Sequence, residues 1–135
     1  GHRWVDWHAC ETLRETGEPF YFKYGSKPSY GCNAGLVRLP LETTNGKDVL
    51  LFSTPDNPGG TRVRMTVWAS FDGARTWPVK RLVYAGPSAY SSLAADALGN
   101  IFLLFERGRS ANIKCDIDHY KIAVARFNLD WVLAG

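Results

Sequence analysis

The sequence predicts an all-β protein, and three observations lead to that prediction. Helical periodicity is almost absent from the 135 residues, short apolar runs recur at regular spacing, and turn residues separate these runs. With 45% hydrophobic and 13% aromatic residues, the chain has the apolar content of a folded protein and not of a disordered one. We therefore expect short strands joined by tight turns over most of the chain.

In chain order, the first predicted element is a short helix over residues 9–18, which Gly17 and Pro19 end. The other predicted elements are strands, which alternate in period two or form short apolar runs; they cover residues 35–39, 49–53, 62–70, 91–96, 101–106 and 121–127. Asn45 and Gly46 predict a tight turn between the first two strands. Strands of this length and spacing are typical of a β-sandwich, a barrel or a propeller.

The strand predicted over residues 62–70 alternates strictly, so its even and odd positions should form two different faces. The even face is expected to carry Arg62, Arg64, Thr66 and Trp68. The odd face is expected to carry only apolar residues.

Charge and the length of the apolar runs argue against two classes of function. The 16 Lys and Arg residues exceed the 13 Asp and Glu residues by a net charge of +3, and they are scattered without runs. Charge therefore gives no indication of nucleic-acid binding. The longest apolar runs are about a quarter of the ~20 residues that a membrane-spanning helix needs, so no membrane span is expected.

The cysteines and histidines predict neither a disulfide framework nor a metal site. Cys10, Cys32 and Cys115 are odd in number and show no C-x-x-C spacing. One disulfide between Cys10 and Cys32 and buried free thiols both remain open at this point. The three histidines are far apart and lack carboxylates at metal-binding spacing, so no metal and no cofactor is expected.

Residues 70–77, with the sequence SFDGARTW, carry the most specific local signal in the chain. Ser70 and Asp72 have side chains that bond backbone N–H groups in tight turns, a glycine allows positive φ, and Trp77 can anchor the turn on the core. The segment resembles the Asp-box of sialidases and related β-propellers, S-x-D-x-G-x-T-W, with Ala74 in place of the motif's glycine. In that family the box stabilises the fold and carries no chemistry.

From Cys32 onward, further motifs are similar to the bacterial exo-α-sialidase family and occur in the family's order. They are CNAGLVR at 32–38, LLFSTP at 50–55, RVRMTV at 62–67, AYSSL at 89–93 and LFE at 104–106. The resemblance implies a six-bladed β-propeller, of which residues 1–135 would be a C-terminal portion of about two to three blades with no second domain. Residues 126–132 resemble the last propeller strand.

The resemblance implies removal of terminal sialic acid from glycoconjugates with retention of configuration. The anomeric carbon of this sugar carries its own carboxylate, and a carboxylate nucleophile ~4 Å away would meet a repulsion of roughly 4 kcal/mol at an effective dielectric of ~20. The family uses a tyrosine instead, and Tyr90 occupies the matching position. The Glu that activates this tyrosine and the acid/base Asp precede the matched segment in the family.

Three arginines bind the substrate carboxylate in the family, because a guanidinium forms paired charge-assisted hydrogen bonds. Arg62 matches the third of them, and Arg64 would take this role if the register were shifted by two residues. Glu106 matches the carboxylate that orients the first arginine. Residues 1–30 show no motif for the first two arginines, so the chain is expected to hold part of a site.

Two other functions stay open on the residues alone. A non-catalytic Asp-box propeller would act as a carbohydrate-binding or assembly module, and a self-contained small β-domain would bind another protein. The spacing of 28 residues between Arg62 and Tyr90 matches the enzyme family and favours the sialidase interpretation. The implied partners are sialylated glycans and the remaining propeller blades, and the family favours a secreted or extracytoplasmic location.

Overall fold

The computed structural model describes residues 13, 32–57, 62–108 and 121–135, which form six antiparallel strands. Each strand pairs with the next one in the chain; they are β1 (Gly35–Arg38), β2 (Leu50–Pro55), β3 (Val63–Ser70), β4 (Val79–Ala95), β5 (Ile101–Arg107) and β6 (Lys121–Phe127). A short 3-10 helix, Leu41–Thr43, lies between β1 and β2, and helix α1, Leu129–Leu133, follows β6. The all-β prediction is confirmed.

β4 is longer than the sequence predicted. The prediction began this strand at residue 91, whereas β4 begins at Val79 and pairs with β3 along its first half. This first half contains Gly86 and Pro87, which are uncommon inside strands and interrupt the apolar pattern. Pairing with neighbouring strands therefore extends β4 through residues that are poor strand formers by themselves.

The expectation of a propeller strand over residues 126–132 is wrong after Phe127, where β6 ends. Asn128 is the N-cap of α1, because its side-chain oxygen accepts a hydrogen bond from the Trp131 N–H at 2.9 Å. Asparagine is among the residues preferred at this position. The cap turns the chain from strand to helix.

β4 divides the sheet into two halves that pack against each other. Residues 79–87 pair with β3, and residues 88–95 pair with β5, each with an irregularity in the register. The core lies between the halves and contains buried apolar side chains from both, among them Leu51, Met65, Val67, Leu93, Ile101 and Leu103. The first half has four antiparallel strands, β1 to β4, and the second half starts in β4. This arrangement is expected for neighbouring propeller blades.

β1 approaches the second half of β4 closely at Gly35. A Cβ on Gly35 would lie 2.6 Å from Ser53 Oγ and 2.7 Å from the Leu93 nitrogen, so only glycine allows this approach. The Ser91 N–H donates to the Asn33 carbonyl at 3.0 Å, and the hydroxyl oxygens of Ser53 and Ser91 are 2.9 Å apart. These contacts join the two halves of the sheet.

β3 is a central strand and is buried on both faces from Met65 to Ser70. Met65 lies in the core, and on the opposite face Trp68 contacts Phe52 with ring centroids 6.0 Å apart. The even face is therefore buried as well from Thr66 to Ser70. Phe52 of β2 contacts this face at Trp68, and Trp77, in the turn after β3, contacts Phe52 in turn.

Several predictions concern residues outside the described ones. These are the helix over residues 9–18 apart from residue 13, Cys10 of the possible disulfide with Cys32, the third cysteine Cys115, and the three histidines. Among the residues that the structure does describe, no group of three His, Cys, Asp or Glu side chains is placed to hold a metal ion. The described helices are also too short to cross a membrane.

Candidate active site

The turn after β3 forms a closed set of hydrogen bonds. Asp72 accepts bonds from the Thr76 N–H at 2.9 Å and the Thr76 hydroxyl at 2.6 Å. The Ser70 hydroxyl donates to Asp72 at 2.9 Å and accepts from the Ala74 N–H at 3.0 Å. The Thr76 side chain is the largest cause that lowers the pKa of Asp72 to about 2. This set of bonds is the turn-stabilising role predicted for the Asp-box.

The departure from the Asp-box motif has a visible consequence at Ala74. Gly73 and Ala74 have φ values of +72° and +71°, so Ala74 adopts the left-handed conformation that the motif's glycine would take easily. Trp77, which is 8% exposed, packs on Phe52 with ring centroids 5.8 Å apart. The turn keeps the motif geometry despite the alanine.

At the opposite end of β3, the structure brings together the three residues predicted to form the site. The Arg62 guanidinium carbon lies 5.3 Å from the centroid of the Tyr90 ring. The Tyr90 N–H donates to Glu106 Oε2 at 3.4 Å. Arg62, Tyr90 and Glu106 come from three separate parts of the chain, so their proximity depends on the folded sheet.

Irregular strand pairing places Tyr90 beside Glu106. Between Ser88 and Ser91, β4 contains one residue more than the paired stretch of β5. A bulge of this kind removes an N–H group from the regular ladder, and the Tyr90 N–H turns to the Glu106 carboxylate instead. Tyr90 is 41% exposed, so its ring lies at the surface of the described sheet.

The expectation that Arg62 and Arg64 share one face of a regular strand is wrong. Arg62 precedes the first residue of β3, and Arg64 has a φ of +68°. The register of β3 against β4 also shifts on both sides of Met65. A left-handed residue interrupts the pleat on which alternation depends, so the period-two pattern describes β3 only from Met65 onward.

Sequence patterns gave no indication that Ser88 and Thr66 belong to this site. The Ser88 N–H donates to the Arg62 carbonyl at 2.9 Å, and the Thr66 hydroxyl donates to the Arg64 carbonyl at 2.8 Å. Backbone carbonyls accept both hydrogen bonds. Residue type does not indicate which donor a backbone carbonyl will bind. The Gly-Pro pair before Ser88 is the one sequence signal of an irregular strand here.

Two cavities lie elsewhere in the part of the chain that the structure describes. They have volumes of about 570 Å³ and 550 Å³. The first is lined by Arg126, Phe127 and Trp131 among others, and the second includes Phe71 and Leu98. Neither cavity includes the arginine, tyrosine or glutamate of the candidate site, which is therefore separate from both.

Comparison with known proteins gives a family for this chain, although no family model matches it. Over 104 residues, the chain is 33% identical to the sialidase of Micromonospora viridifaciens, an alignment that covers 74% of this chain and 14% of that protein. The chain belongs to the sialidase family. This sialidase-family chain spans less than a quarter of the length of the Micromonospora protein and of each similar solved structure described next.

The fold of this chain is similar to that of solved sialidase and trans-sialidase structures. The Hadza microbial sialidase Hz136 matches with a TM-score of 0.60 and 33% identity over 76% of this chain and 18% of its own. The intramolecular trans-sialidase from Ruminococcus gnavus, in complex with oseltamivir carboxylate, matches with a TM-score of 0.60 and 22% identity, covering 76% of this chain and 23% of that one.

The leech intramolecular trans-sialidase, complexed with 2,7-anhydro-Neu5Ac, matches with a TM-score of 0.62 and 16% identity over 78% of this chain and 17% of its own. These matches confirm the sialidase β-propeller fold, and the described strands are a fragment of its blades.

Proposed function

We propose that this sialidase-family chain is part of an exo-α-sialidase-like retaining glycosidase that removes terminal sialic acid from glycoconjugates. The observation that carries the proposal is the contact between Arg62 and the Tyr90 ring, with 5.3 Å between the guanidinium carbon and the ring centroid. Sialic acid has its carboxylate on the anomeric carbon. A guanidinium that binds the carboxylate and a nucleophile that attacks this carbon must therefore be close neighbours.

Tyr90 is the proposed nucleophile. Its phenol oxygen attacks the anomeric carbon while its proton passes to a Glu base, the glycosidic bond breaks, and the leaving oxygen takes a proton from an acid; the family resemblance places both groups before the matched segment. Water then attacks the anomeric carbon and gives its proton to the deprotonated acid, the bond between the sugar and Tyr90 breaks, the Glu returns the proton to the phenol oxygen, and the configuration is retained. A neutral phenol can approach the substrate carboxylate, whereas an Asp or Glu nucleophile would be repelled by it.

Glu106 is proposed as a positioning residue. Its carboxylate accepts the Tyr90 N–H at 3.4 Å and so links β5 to the bulge that carries the nucleophile. The family resemblance assigns this carboxylate to orientation of an arginine. A carboxylate has two oxygens that accept hydrogen bonds, so one side chain can serve both contacts.

Further parts of the site are proposed to come from other blades, since the chain spans 14% of the Micromonospora sialidase and 18% of Hz136. These blades would supply the acid/base Asp, the Glu that activates Tyr90 and two more arginines. The 135 residues by themselves should then show no turnover of a sialoside. The proposed substrates are sialylated glycans, and the proposed location is secreted or extracytoplasmic.

A fluorinated sialic acid that slows breakdown of the covalent intermediate tests the proposal in the complete enzyme. We expect its mass on the peptide that contains Tyr90. Tyr90→Phe keeps the ring but removes the attacking oxygen, so turnover should fall at least roughly 100-fold while stability changes by about 1 kcal/mol or less. A label on another residue, with Tyr90→Phe near the wild-type rate, would reject the assignment. Binding of sialosides without turnover would indicate the non-catalytic propeller instead.

A further inference from the structure

Arg64 has a backbone conformation that arginine rarely adopts. Its φ of +68° lies in the left-handed region, where a residue with a Cβ is disfavoured. Its side chain is exposed, so side-chain packing in the core does not explain the conformation. Backbone outliers of this kind persist where surrounding bonds hold them, and they concentrate at functional sites.

The Arg64 carbonyl is held from two directions. The Thr66 hydroxyl donates to it at 2.8 Å, and the Asp56 N–H donates to it at 2.9 Å. Thr66 is 2% exposed, so water has little access to this hydroxyl and replaces the bond poorly. Asp56 directly follows β2, so its bond ties the start of β3 to the neighbouring strand, while the Thr66 bond closes within β3.

The constrained residue lies two positions from Arg62. In an uninterrupted strand, Arg62 would share a face with Thr66, because side chains at every second position point the same way. The left-handed residue interrupts the strand between them, and Arg62 instead has its carbonyl bonded to the Ser88 N–H and its guanidinium over the Tyr90 ring. The break in alternation and the contact at the site thus occur in the same short segment.

We propose that Arg64 acts on the site through its backbone: its left-handed conformation, held by Thr66 and Asp56, directs Arg62 onto Tyr90. Arg64 and Thr66 are positioning residues in this account, and the Arg64 guanidinium has no part in it. The consequence for substrate binding rests on the proposed function. The contact between Arg62 and Tyr90 can be tested without it.

Two substitutions at position 64 separate the backbone from the charge. Both Arg64→Gly and Arg64→Val remove the guanidinium, but glycine adopts positive φ freely whereas a β-branched residue resists it. In the 135-residue chain with isotopically labelled arginine, the Tyr90 ring current shifts the NMR signals of the Arg62 side chain, and Tyr90→Leu identifies this shift by abolishing it. We expect Arg64→Gly to keep the shift and Arg64→Val to lose it.

A second pair of substitutions tests the Thr66 hydroxyl as the donor to the Arg64 carbonyl. Thr66→Ser keeps the hydroxyl and should keep the Arg62 shift, whereas Thr66→Val keeps the shape of the side chain and should reduce the shift. Denaturation curves identify variants that remain folded, and this second pair decides the question if Arg64→Val does not fold. Retention of the full shift in the valine variants, or its loss in Arg64→Gly as well as Arg64→Val, would overturn the proposal.

In the complete enzyme, Arg64→Val should raise KM for a sialoside at least about tenfold relative to Arg64→Gly, with a smaller change in kcat. A purely structural defect would lower the amount of active enzyme and leave KM unchanged. Failure of the proposed function would appear as a complete enzyme without sialidase activity. The NMR shift of Arg62 would still report whether Arg64 positions it, so the two failures are distinguishable.

Discussion

The Arg62 guanidinium carbon lies 5.3 Å from the centre of the Tyr90 ring, although 28 residues separate the two in the sequence. A cation at this distance from an aromatic face is attracted to it by about 0.5–1 kcal/mol at an exposed site. The contact crosses from the start of β3 to β4, at the end of the sheet away from the Asp-box. It brings the two proposed functions, carboxylate binding and nucleophilic attack, into one place.

Substitution of Arg62 should lower kcat/KM for a sialoside far more than substitution of Arg64. In the complete enzyme, Arg62→Ala removes a charge-assisted contact to the substrate carboxylate, so kcat/KM for a sialoside should fall roughly 30- to 1000-fold, or about 2–4 kcal/mol. Arg64→Gly is the matched control, since it removes a neighbouring guanidinium and tolerates the φ of +68°. Equal losses in the two variants would show that general surface charge, and not the Arg62 position, binds the substrate.

Ala74→Gly should stabilise the chain. Ala74 has a φ of +71°, and glycine removes the steric cost of the left-handed conformation while adding some unfolded-state entropy. The net gain should be about 0.5–1 kcal/mol, measured as a higher urea midpoint at unchanged slope. Gly73→Ala is the reverse control at a φ of +72° and should destabilise by about 1 kcal/mol. A lower midpoint for Ala74→Gly would contradict the assigned backbone conformation.

Stability should fall in acid partly because Asp72 loses its charge. Its folded pKa is about 2, below the ordinary value of 3.8, chiefly because the Thr76 hydroxyl and N–H donate to it. A carboxylate with a lowered pKa stabilises the fold above its unfolded pKa, and the contribution disappears as pH falls through the folded value. The stability that the Asp72 charge contributes should therefore be lost between about pH 4 and about pH 2. Asp96 adds in the same direction, because the Asn100 side chain lowers its pKa.

Denaturant midpoints measured from about pH 6 down to about pH 2 would check this dependence. Asp72→Asn should be less stable than the wild type near neutral pH, and the difference between the two should narrow in acid. A constant difference across the range would mean that the Asp72 charge does not contribute and that only the shape of the turn matters.

Gly35→Ala should weaken the packing between the two halves of the sheet. The added methyl would lie 2.6 Å from Ser53 Oγ and 2.7 Å from the Leu93 nitrogen, and a backbone atom cannot move aside easily. Overpacking of this kind costs about 1–3 kcal/mol. Gly46→Ala meets nothing within 4 Å and has only a positive φ of +75° to oppose it, so it should cost less. A lower urea midpoint for Gly46→Ala than for Gly35→Ala would argue against the close approach of β1 to β4.

Much of the fold was predictable because its signals are local. The predicted bounds of β1, β2, β3, β5 and β6 agree with the structure to within two residues, since apolar alternation reflects which side chains face the core. Asn45 and Gly46 have φ values of +54° and +75°, as the turn prediction requires. The order of motifs along the chain also singled out Arg62, Tyr90 and Glu106, because each motif is a run of consecutive residues.

Tertiary structure decided what these residues contact. β4 runs through Gly86 and Pro87 because β3 and β5 supply pairing partners that no local pattern reveals. The left-handed Arg64 depends on donors from Thr66 and Asp56, and the position of Tyr90 depends on a bulge against β5. Sequence patterns record the preferences of each residue, whereas hydrogen bonds between distant backbone groups form only after the strands have paired.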